Sequence, residues 1–157
     1  MNTNEYDVIV INVVDGDTVD VDINLGFGVT LKDERVRVMG IDTEESRTSD
    51  KVEDLFGEAA KSRVKELMKD GAKLITTEDK HGEDMKGKFG RILGDFRLPS
   101  GKTLTETLIE EGHAVPYHGQ SKDDIRSQHL ANREVLLERG VIAREDYEAA
   151  VKLMESK

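Results

Sequence analysis

Residues 37–45 read Arg-Val-Met-Gly-Ile-Asp-Thr-Glu-Glu, and this stretch organises the chain. It begins as a strand, because side chains alternate between two faces and valine alternates with arginine from Arg35 to Val38. It then breaks into a turn rich in carboxylates. One guanidinium group and several carboxylates therefore leave the same strand end, which suits a site for an anionic phosphate and a hard cation. Taken alone, the pattern is more typical of an amphipathic strand followed by a solvated acidic loop.

The chain before this stretch has the composition of two more strands. Tyr6 to Val14 is rich in β-branched residues and ends at the turn residues Asp15-Gly16-Asp17. Thr18 to Ile23 alternates, with apolar residues on one face and polar residues on the other. Gly26-Phe27-Gly28 makes the next turn, and the third strand is predicted over Val29 to Ile41. Short connections predict a meander, and a third strand of this length can bend around a barrel.

A helix and two strands are predicted to follow. Apolar residues recur at three- and four-residue steps from Val52 to Met68, and Gly71 stands where a helix commonly ends. Lys73 to Thr77 is predicted as the fourth strand and Phe89 to Leu98 as the fifth. Between them, Glu78 to Lys88 mixes acidic, basic and glycine residues, which is typical of an exposed and mobile loop.

The C-terminal third is predicted to be helical. A short helix is expected at about Thr105 to Glu111, a long one at Asp123 to Arg139 and a last one at Asp146 to Glu155. In the long helix, Leu130 and Leu137 are expected on the buried face. Five strands with one helix after the third, and helices at the end, is the element order of a five-stranded OB-fold barrel with three or more helices. The predicted fold class is therefore mainly β with α additions.

Composition and charge limit the classes of function. A chain of 157 residues can bury a full core as one domain, and without cysteine it has neither disulfides nor thiolate metal ligands. The first residues lack the pattern of a secretory signal, and no apolar run reaches membrane-spanning length. A cytoplasmic protein with no membrane partner is therefore expected. A net charge of -10 argues against tight non-specific binding of nucleic acid, but not against phosphate chemistry at a local site.

Short motifs elsewhere in the chain carry candidate chemistry. Asp15-Gly16-Asp17-Thr18 has the composition of a hairpin turn, and Gly87-Lys88-Phe89-Gly90-Arg91 that of a surface arginine after a loop glycine. Each motif alone is ordinary. If the first lies beside the acidic stretch, however, Asp17 and Asp42 together with a backbone carbonyl could coordinate a hard cation. The histidines are poorly spaced for zinc, and no cysteine could help them.

Taken in order, the motifs resemble those of the staphylococcal nuclease family. That family has Asp-Gly-Asp-Thr, then an arginine five residues before Asp-Thr-x-Glu, then Lys-(Tyr/Phe)-Gly-Arg. The resemblance covers roughly Tyr6 to Ile142, with a weaker match around Gly112-x-Ala114 and Gln128-His129-Leu130. It implies a nuclease domain over residues 1–142, with residues 143–157 as a C-terminal helical extension. We expect the chain to be a monomer.

The resemblance also implies a metal site. Asp17 and Asp42 match the carboxylate ligands of Ca²⁺, and the carbonyl of Thr43 matches a third protein oxygen. Oxygen ligands, with water filling the other positions, suit calcium.

The remaining matched positions imply the groups that act on the substrate. Glu45 matches the glutamate that serves as general base on water or orients it. Arg37 and Arg91 match the pair that grips the phosphate, for which the planar guanidinium fork is well suited. Lys88 and Tyr117 are predicted to help hold the substrate, although Tyr117 could equally be a core residue that caps the barrel.

One departure bears on the chemistry. The family usually has proline between the threonine and the glutamate, and this chain has Glu44 there. Two neighbouring glutamates could therefore be the base, and the spacing favours Glu45.

The resulting hypothesis is a Ca²⁺-dependent nuclease that hydrolyses DNA and/or RNA by metal-assisted attack of water. Cleavage that leaves 3′-phosphate ends is implied by the resemblance. One alternative is a catalytically silent domain of this type that binds nucleic acid or protein, and another is a plain OB-fold binding module. Silent domains typically lose the arginines or the acidic ligands, whereas every matched position is filled here. A binding module would need stacking aromatics and a basic groove, which an aromatic content of 4% and the net charge disfavour.

Overall fold

The computed structural model describes residues 2–78, 80–81, 84–86 and 90–155, which form seven strands and four helices. The strands are β1 (Thr3–Asp15), β2 (Thr18–Gly26), β3 (Val29–Val38), β4 (Ile41–Thr43), β5 (Ala72–Thr77), β6 (Ile92–Arg97) and β7 (Ala114–Pro116). The helices are α1 (Lys51–Met68), α2 (Leu104–Glu111), α3 (Lys122–Glu138) and α4 (Arg144–Glu155).

Five of the strands close into a barrel in the order β1-β2-β3-β6-β5. Strand β1 runs antiparallel to both β2 and β5, whereas β3 and β6 pair in parallel. A parallel pair needs a crossover connection, and the segment that contains α1 and β5 supplies it. The predicted five-stranded barrel with added helices is confirmed.

The barrel interior is filled by the side chains that strand alternation predicts. Val19, Val21 and Ile23 of β2 are all buried, and so are Leu74 of β5 and Phe96 of β6. Burying an aliphatic or aromatic side chain of this size stabilises a fold by roughly 1.5–3 kcal/mol. The apolar interior is therefore the main source of the barrel's stability.

The predicted third strand is interrupted, so the prediction of one strand from Val29 to Ile41 is wrong. Strand β3 ends at Val38, and Gly40 has a φ of +81°, a conformation that glycine adopts readily. The chain therefore turns out of the barrel. Residues 41–43 form β4 and pair antiparallel with β7, a strand that the sequence analysis missed. Three residues are too few for a periodic pattern to reveal a strand.

The loop before β6 also differs from its prediction. Strand β6 begins at Ile92 rather than Phe89, and residues 87–89 lie outside the described residues. Asp84, which was expected to be exposed, is half-buried. Its carboxylate accepts hydrogen bonds from Asn4 at 2.9 Å, Tyr6 at 2.8 Å and Thr76 at 2.7 Å. The loop is therefore tied to β1 and β5 at this residue.

The helices pack beside the barrel and against one another. Asp50 caps α1, because its carboxylate accepts from the backbone N–H groups of residues 52 and 53, both at 3.0 Å. Phe56 of α1 contacts Tyr147 of α4 edge-on, with ring centroids 6.1 Å apart. None of the helices in the described part of the chain is long and apolar enough to cross a membrane.

The buried face of α3 is different from the predicted one. Leu137 is buried as expected, but Leu130 is exposed and its neighbour His129 is buried instead. His129 is buried because it contacts the carboxylate of Asp42, whereas Leu137, two turns further on, belongs to an apolar cluster with Phe56.

Candidate active site

A polar cleft of about 230 Å³ lies where the β1–β2 turn, the end of β3 and strand β4 meet. Most of the predicted site residues lie in it. Tyr117 is not among the residues that line the cleft, and Lys88 lies outside the described residues. The cleft is lined by Asp15, Asp17, Thr18, Arg37, Asp42, Thr43, Glu44, Glu45 and Arg91.

The β1–β2 turn brings Asp17 to the cleft. The backbone N–H of Val38 donates to the carbonyl of Asp17 at 2.8 Å, which fixes the turn on the end of β3. The Asp17 carboxylate accepts from the hydroxyl of Thr18 at 3.1 Å and from the backbone N–H of Thr43 at 3.4 Å. A Cβ atom at Gly16 would lie 3.0 Å from the side chains of Thr43 and Ala60. The small residue therefore allows the turn to approach β4 and α1.

The environment of Asp17 disfavours a negative charge. Burial raises the pKa of its carboxyl above the ordinary value, and the charge of Asp42 raises that pKa further. The guanidinium of Arg37 lowers it without cancelling the effect of burial. Two carboxylates thus share a poorly solvated cleft, where a bound cation would offset their repulsion.

Arg37 is held by protein oxygen atoms. Its Nη1 donates to the carbonyl of Val38 at 2.7 Å, and its Nη2 donates to the carbonyl of Ile41 at 3.1 Å. Nη2 also lies 3.4 Å from a carboxylate oxygen of Asp17. Arg37 therefore joins the end of β3 to β4 and to the β1–β2 turn, in addition to bringing positive charge to the cleft.

The two neighbouring glutamates have opposite environments. Glu45 is exposed at the cleft. Glu44 is buried, and the Nε of Arg133 donates to its two carboxylate oxygens at 3.1 Å and 3.0 Å. The Nη2 of Arg133 makes a further bond to Glu44. Of the two carboxylates, only that of Glu45 is open to solvent.

Asp42 also has a partner on α3. The Nε2 of His129 lies 2.7 Å from a carboxylate oxygen of Asp42. Since an ionised carboxylate can only accept, Nε2 carries the proton and donates it. The second oxygen of Asp42 has no hydrogen-bond partner among the described residues, so another ligand in the cleft could bind it.

The backbone of the acidic turn is fixed by residues that sequence reasoning missed. The Ser46 hydroxyl donates to the carboxylate of Asp15, which is neither a predicted metal ligand nor a predicted catalytic residue. Gly57 of α1 packs on the turn so closely that a Cβ there would lie 2.7 Å from the backbone nitrogen of Ser46 and nearer still to the carbonyl of Glu45. A glycine inside a helical pattern was an available signal for such a contact. The roles of Asp15 and Ser46 had no local signal.

The remaining predicted residues have different environments. Arg91 is half-buried and lines the cleft just before β6. Tyr117 is 47% exposed, so its interpretation as a core residue is wrong. Its backbone N–H donates to the carbonyl of Gly40 at 2.8 Å.

The donor set in the cleft fits a hard cation that keeps several waters. Among the described residues, no group of three or more His, Cys, Asp or Glu side chains could hold a metal ion. The predicted set does not require one, since it consists of two carboxylates and the carbonyl of Thr43. All three donors are oxygen atoms, which is the set that calcium prefers.

The fold and the cleft define a class: a closed OB-type barrel with a carboxylate–arginine site at the end of β3. Residues 35–136 match the model of the family described as staphylococcal nuclease homologue, so the chain belongs to this family. The resemblance drawn from the motifs is thereby confirmed.

Similar proteins are found in Bacillus subtilis (strain 168). The chain is 37% identical to SPbeta prophage-derived endonuclease YokF over 108 residues, which are 69% of this chain and 33% of the relative. It is 37% identical to endonuclease YncB over 101 residues, or 64% of this chain and 43% of the relative. It is 30% identical to endonuclease YhcR over 118 residues, or 72% of this chain and 9% of the relative. The chain thus spans less than half the length of each of these relatives.

Proposed function

We propose that this chain is a Ca²⁺-dependent nuclease that hydrolyses phosphodiester bonds of DNA or RNA by metal-assisted attack of water. One observation carries the proposal: a single cleft gathers two carboxylates, an exposed glutamate and two arginines. Membership of the staphylococcal nuclease family supports it, as do the names of three relatives, each called an endonuclease.

Asp17, Asp42 and the carbonyl of Thr43 would hold the calcium ion. The raised pKa of Asp17 supports this assignment. A nearby cation would stabilise the ionised form of a buried carboxylate that lies beside a second carboxylate. The bound ion would supply positive charge at the scissile phosphate and make a bound water more acidic. The protein side chains provide the orientation and the proton transfers.

Glu45 is the proposed general base. Its carboxylate is exposed at the cleft and has no hydrogen-bond or ion-pair partner among the described residues. It is therefore available to accept a proton from an attacking water. Glu44 is unsuited to this role because Arg133 already binds both of its oxygens.

Arg37 and Arg91 would bind the phosphate and stabilise the charge that develops during attack. They reach the cleft from adjacent barrel strands, since Arg37 lies on β3 and Arg91 immediately precedes β6. Positive charge from two guanidinium groups at one cleft suits the negatively charged non-bridging oxygens of a phosphodiester. It also accounts for phosphate chemistry in a chain whose net charge is -10.

The test is cleavage of fluorescent single-stranded DNA and RNA of matched sequence, with Ca²⁺, Mg²⁺ or excess EDTA. We expect cleavage with Ca²⁺ and none with EDTA. Glu45→Gln protein, purified in parallel, controls for a contaminating nuclease. Full activity in EDTA would refute the calcium site. Binding of the oligonucleotide without cleavage would instead identify a silent domain.

A further inference from the structure

Two side chains of α3 contact two acidic residues, one in β4 and one just after it. His129 donates to Asp42, and Arg133 binds Glu44. We call these four residues the α3 clamp.

The distance between His129 and Arg133 on α3 matches the distance between their partners Asp42 and Glu44. His129 and Arg133 are four residues apart on a helix, so they lie on one face about 6 Å apart along its axis. Asp42 and Glu44 are two residues apart in an extended segment, so they point to one side about 6.6 Å apart. The two pairs can therefore form together without distorting either element. This match is what one expects of a helix that recognises an extended acidic segment.

Three of the four clamp side chains are shielded from water, whereas that of Asp42 is 34% exposed. The side chains of Glu44 and Arg133 are 9% and 13% exposed, and that of His129 is 10% exposed. The guanidinium of Arg133 also lies over the ring of Phe56, 5.2 Å from its centroid. A cation packed on an aromatic ring and bonded to both oxygens of a carboxylate has little freedom to move.

The acidic turn needs such an external support. Its sequence from Asp42 to Glu45 contains no proline or glycine, so its backbone course depends on contacts with other segments, of which the pairing of β4 with β7 is one. Asp42 and Asp17 line the same cleft, so repulsion between their carboxylates opposes the arrangement. Apolar residues on α3 would pack as well, but they would leave the charges of Asp42 and Glu44 without partners. For Glu44, which is buried, a charge without a partner would be strongly destabilising.

We infer that His129 and Arg133 are positioning residues, which hold Asp42 and Glu44 so that the Thr43 carbonyl and Glu45 stay at the cleft. Thr43 lies between the two clamped residues and Glu45 directly follows them. The clamp contacts therefore add to those that Thr43 makes with Asp17 and Ala114 in setting their backbone course. The inference rests on the proposed function, because it assigns the clamp to the same cleft.

The experiment compares Arg133→Met, His129→Leu and His129→Gln with the wild type. Ca²⁺ affinity is measured by isothermal titration calorimetry, and kcat and KM are measured on a DNA oligonucleotide at saturating Ca²⁺, well below each melting temperature. We expect His129→Leu to weaken Ca²⁺ binding about 10-fold or more, and Arg133→Met to lower kcat by a similar factor, with KM little changed. His129→Gln, which keeps a donor, should regain part of the affinity. Arg144→Met, at an exposed position of α4, is the matched control.

A double variant separates positioning from stability. Arg133→Met alone leaves Glu44 buried without a partner and should lower the melting temperature. Adding Glu44→Met removes that lone charge and should restore much of the stability, but not kcat. If the double variant regains both, the role of Arg133 is structural and the inference is overturned. The inference would also be overturned if the wild type is active and both His129→Leu and Arg133→Met have the same kcat and Ca²⁺ affinity as the wild type. An inert wild type would refute the proposed function itself.

Discussion

The two ends of the β2–β3 hairpin sort polar and apolar residues in opposite ways. At the open end, Thr18 pairs with Arg37, and Thr18 and Asp20 are buried. At the closed end, the tip residue Phe27 is fully exposed and Val29 is half exposed. Buried polar residues at one end and exposed apolar residues at the other thus depart from the usual distribution, while Val19 and Val21 keep it inside the barrel.

The difference shows which unfavourable features occur at each end of the hairpin: buried polar groups at the cleft, and an exposed ring with a positive φ at the tip. Burying a polar group is costly unless it finds a partner, and around the cleft the partners come from distant elements such as α3. At the tip, Phe27 has a φ of +53°, which is uncommon for a residue with a side chain, and it contributes nothing to the core. Substitutions should therefore have large effects at the cleft end and small effects at the tip.

The largest effect is expected at the neighbouring glutamates. Glu45→Gln should lower kcat by about 10²- to 10⁴-fold, because an amide cannot accept a proton from water. Glu44→Gln should lower it by about tenfold or less, since the amide oxygen still accepts from Arg133. Both rates are measured at saturating Ca²⁺, so that weaker metal binding does not imitate lost chemistry. An inactive Glu44→Gln beside an active Glu45→Gln would mean that the base is misassigned by one residue.

The two arginines should come next. Arg37→Lys and Arg91→Lys are each expected to lower kcat by about 10²-fold, because lysine keeps the charge but loses the planar fork. Arg37→Lys should also lower the melting temperature, since it removes bonds to the carbonyls of Val38 and Ile41. Steady-state rates and thermal unfolding of each variant provide the check. Near-normal rates in both would mean that the phosphate binds elsewhere.

Gly57→Ala extends the comparison to α1, where Gly57 packs on the backbone of Glu45 and Ser46. The added Cβ would lie 2.7 Å from the backbone nitrogen of Ser46, and backbone cannot rotate away as a side chain can. We expect a loss of about 1–3 kcal/mol in the free energy of unfolding, despite the higher helix propensity of alanine. Glu58→Ala, at the next and exposed position of α1, should stay within about 0.5 kcal/mol of the wild type. Chemical denaturation of both variants tests the difference, and equal stabilities would contradict the close packing.

Asp17→Asn should stabilise the metal-free protein while removing its activity. The pKa of Asp17 is raised in the folded state, chiefly by burial, so the ionised carboxylate is less favourable in the folded chain than in the unfolded chain. The penalty is present above the folded-state pKa and disappears as pH falls towards the unfolded value of about 3.9. Melting temperatures in EDTA should therefore favour Asn at neutral pH, with a gap that narrows in acid. A wild type more stable than Asp17→Asn at pH 7 would contradict the assignment of the shift.

The smallest effect is expected at the hairpin tip. Phe27→Asn should change the free energy of unfolding by less than about 0.5 kcal/mol, because an exposed ring is lost and asparagine tolerates a positive φ. Phe56→Ala, at a buried ring of α1, is the contrasting variant and should cost about 3–5 kcal/mol. Denaturant titrations of the two variants measure the contrast. A large loss at residue 27 would show that the tip contributes to stability.

The sequence predicted those features that depend on local pattern. The alternation in β2 gave the correct buried face, and the order of elements gave the correct barrel. The motifs also identified a set of residues, including Asp17, Asp42 and Glu45, that meets in one cleft.

What could not be predicted depends on contacts between distant segments. Gly40 was visible, but its effect on β3 follows from the pairing of β4 with β7, which no local pattern encodes. His129 and Arg133 belong to a helix whose apolar pattern favoured Leu130 as a buried residue. Their burial depends on acidic partners more than 80 residues earlier in the chain.

That distance along the chain has a consequence for biosynthesis. Asp42 and His129 are 87 residues apart, and Glu44 and Arg133 are 89 apart. At about 5–20 residues per second, translation needs roughly 4 to 18 s to pass from the first member of each pair to the second. During that interval the carboxylates of the cleft have been made but the helix that holds them has not. The α3 clamp therefore becomes available well after the carboxylates of the cleft, so the site is completed only once α3 has been made.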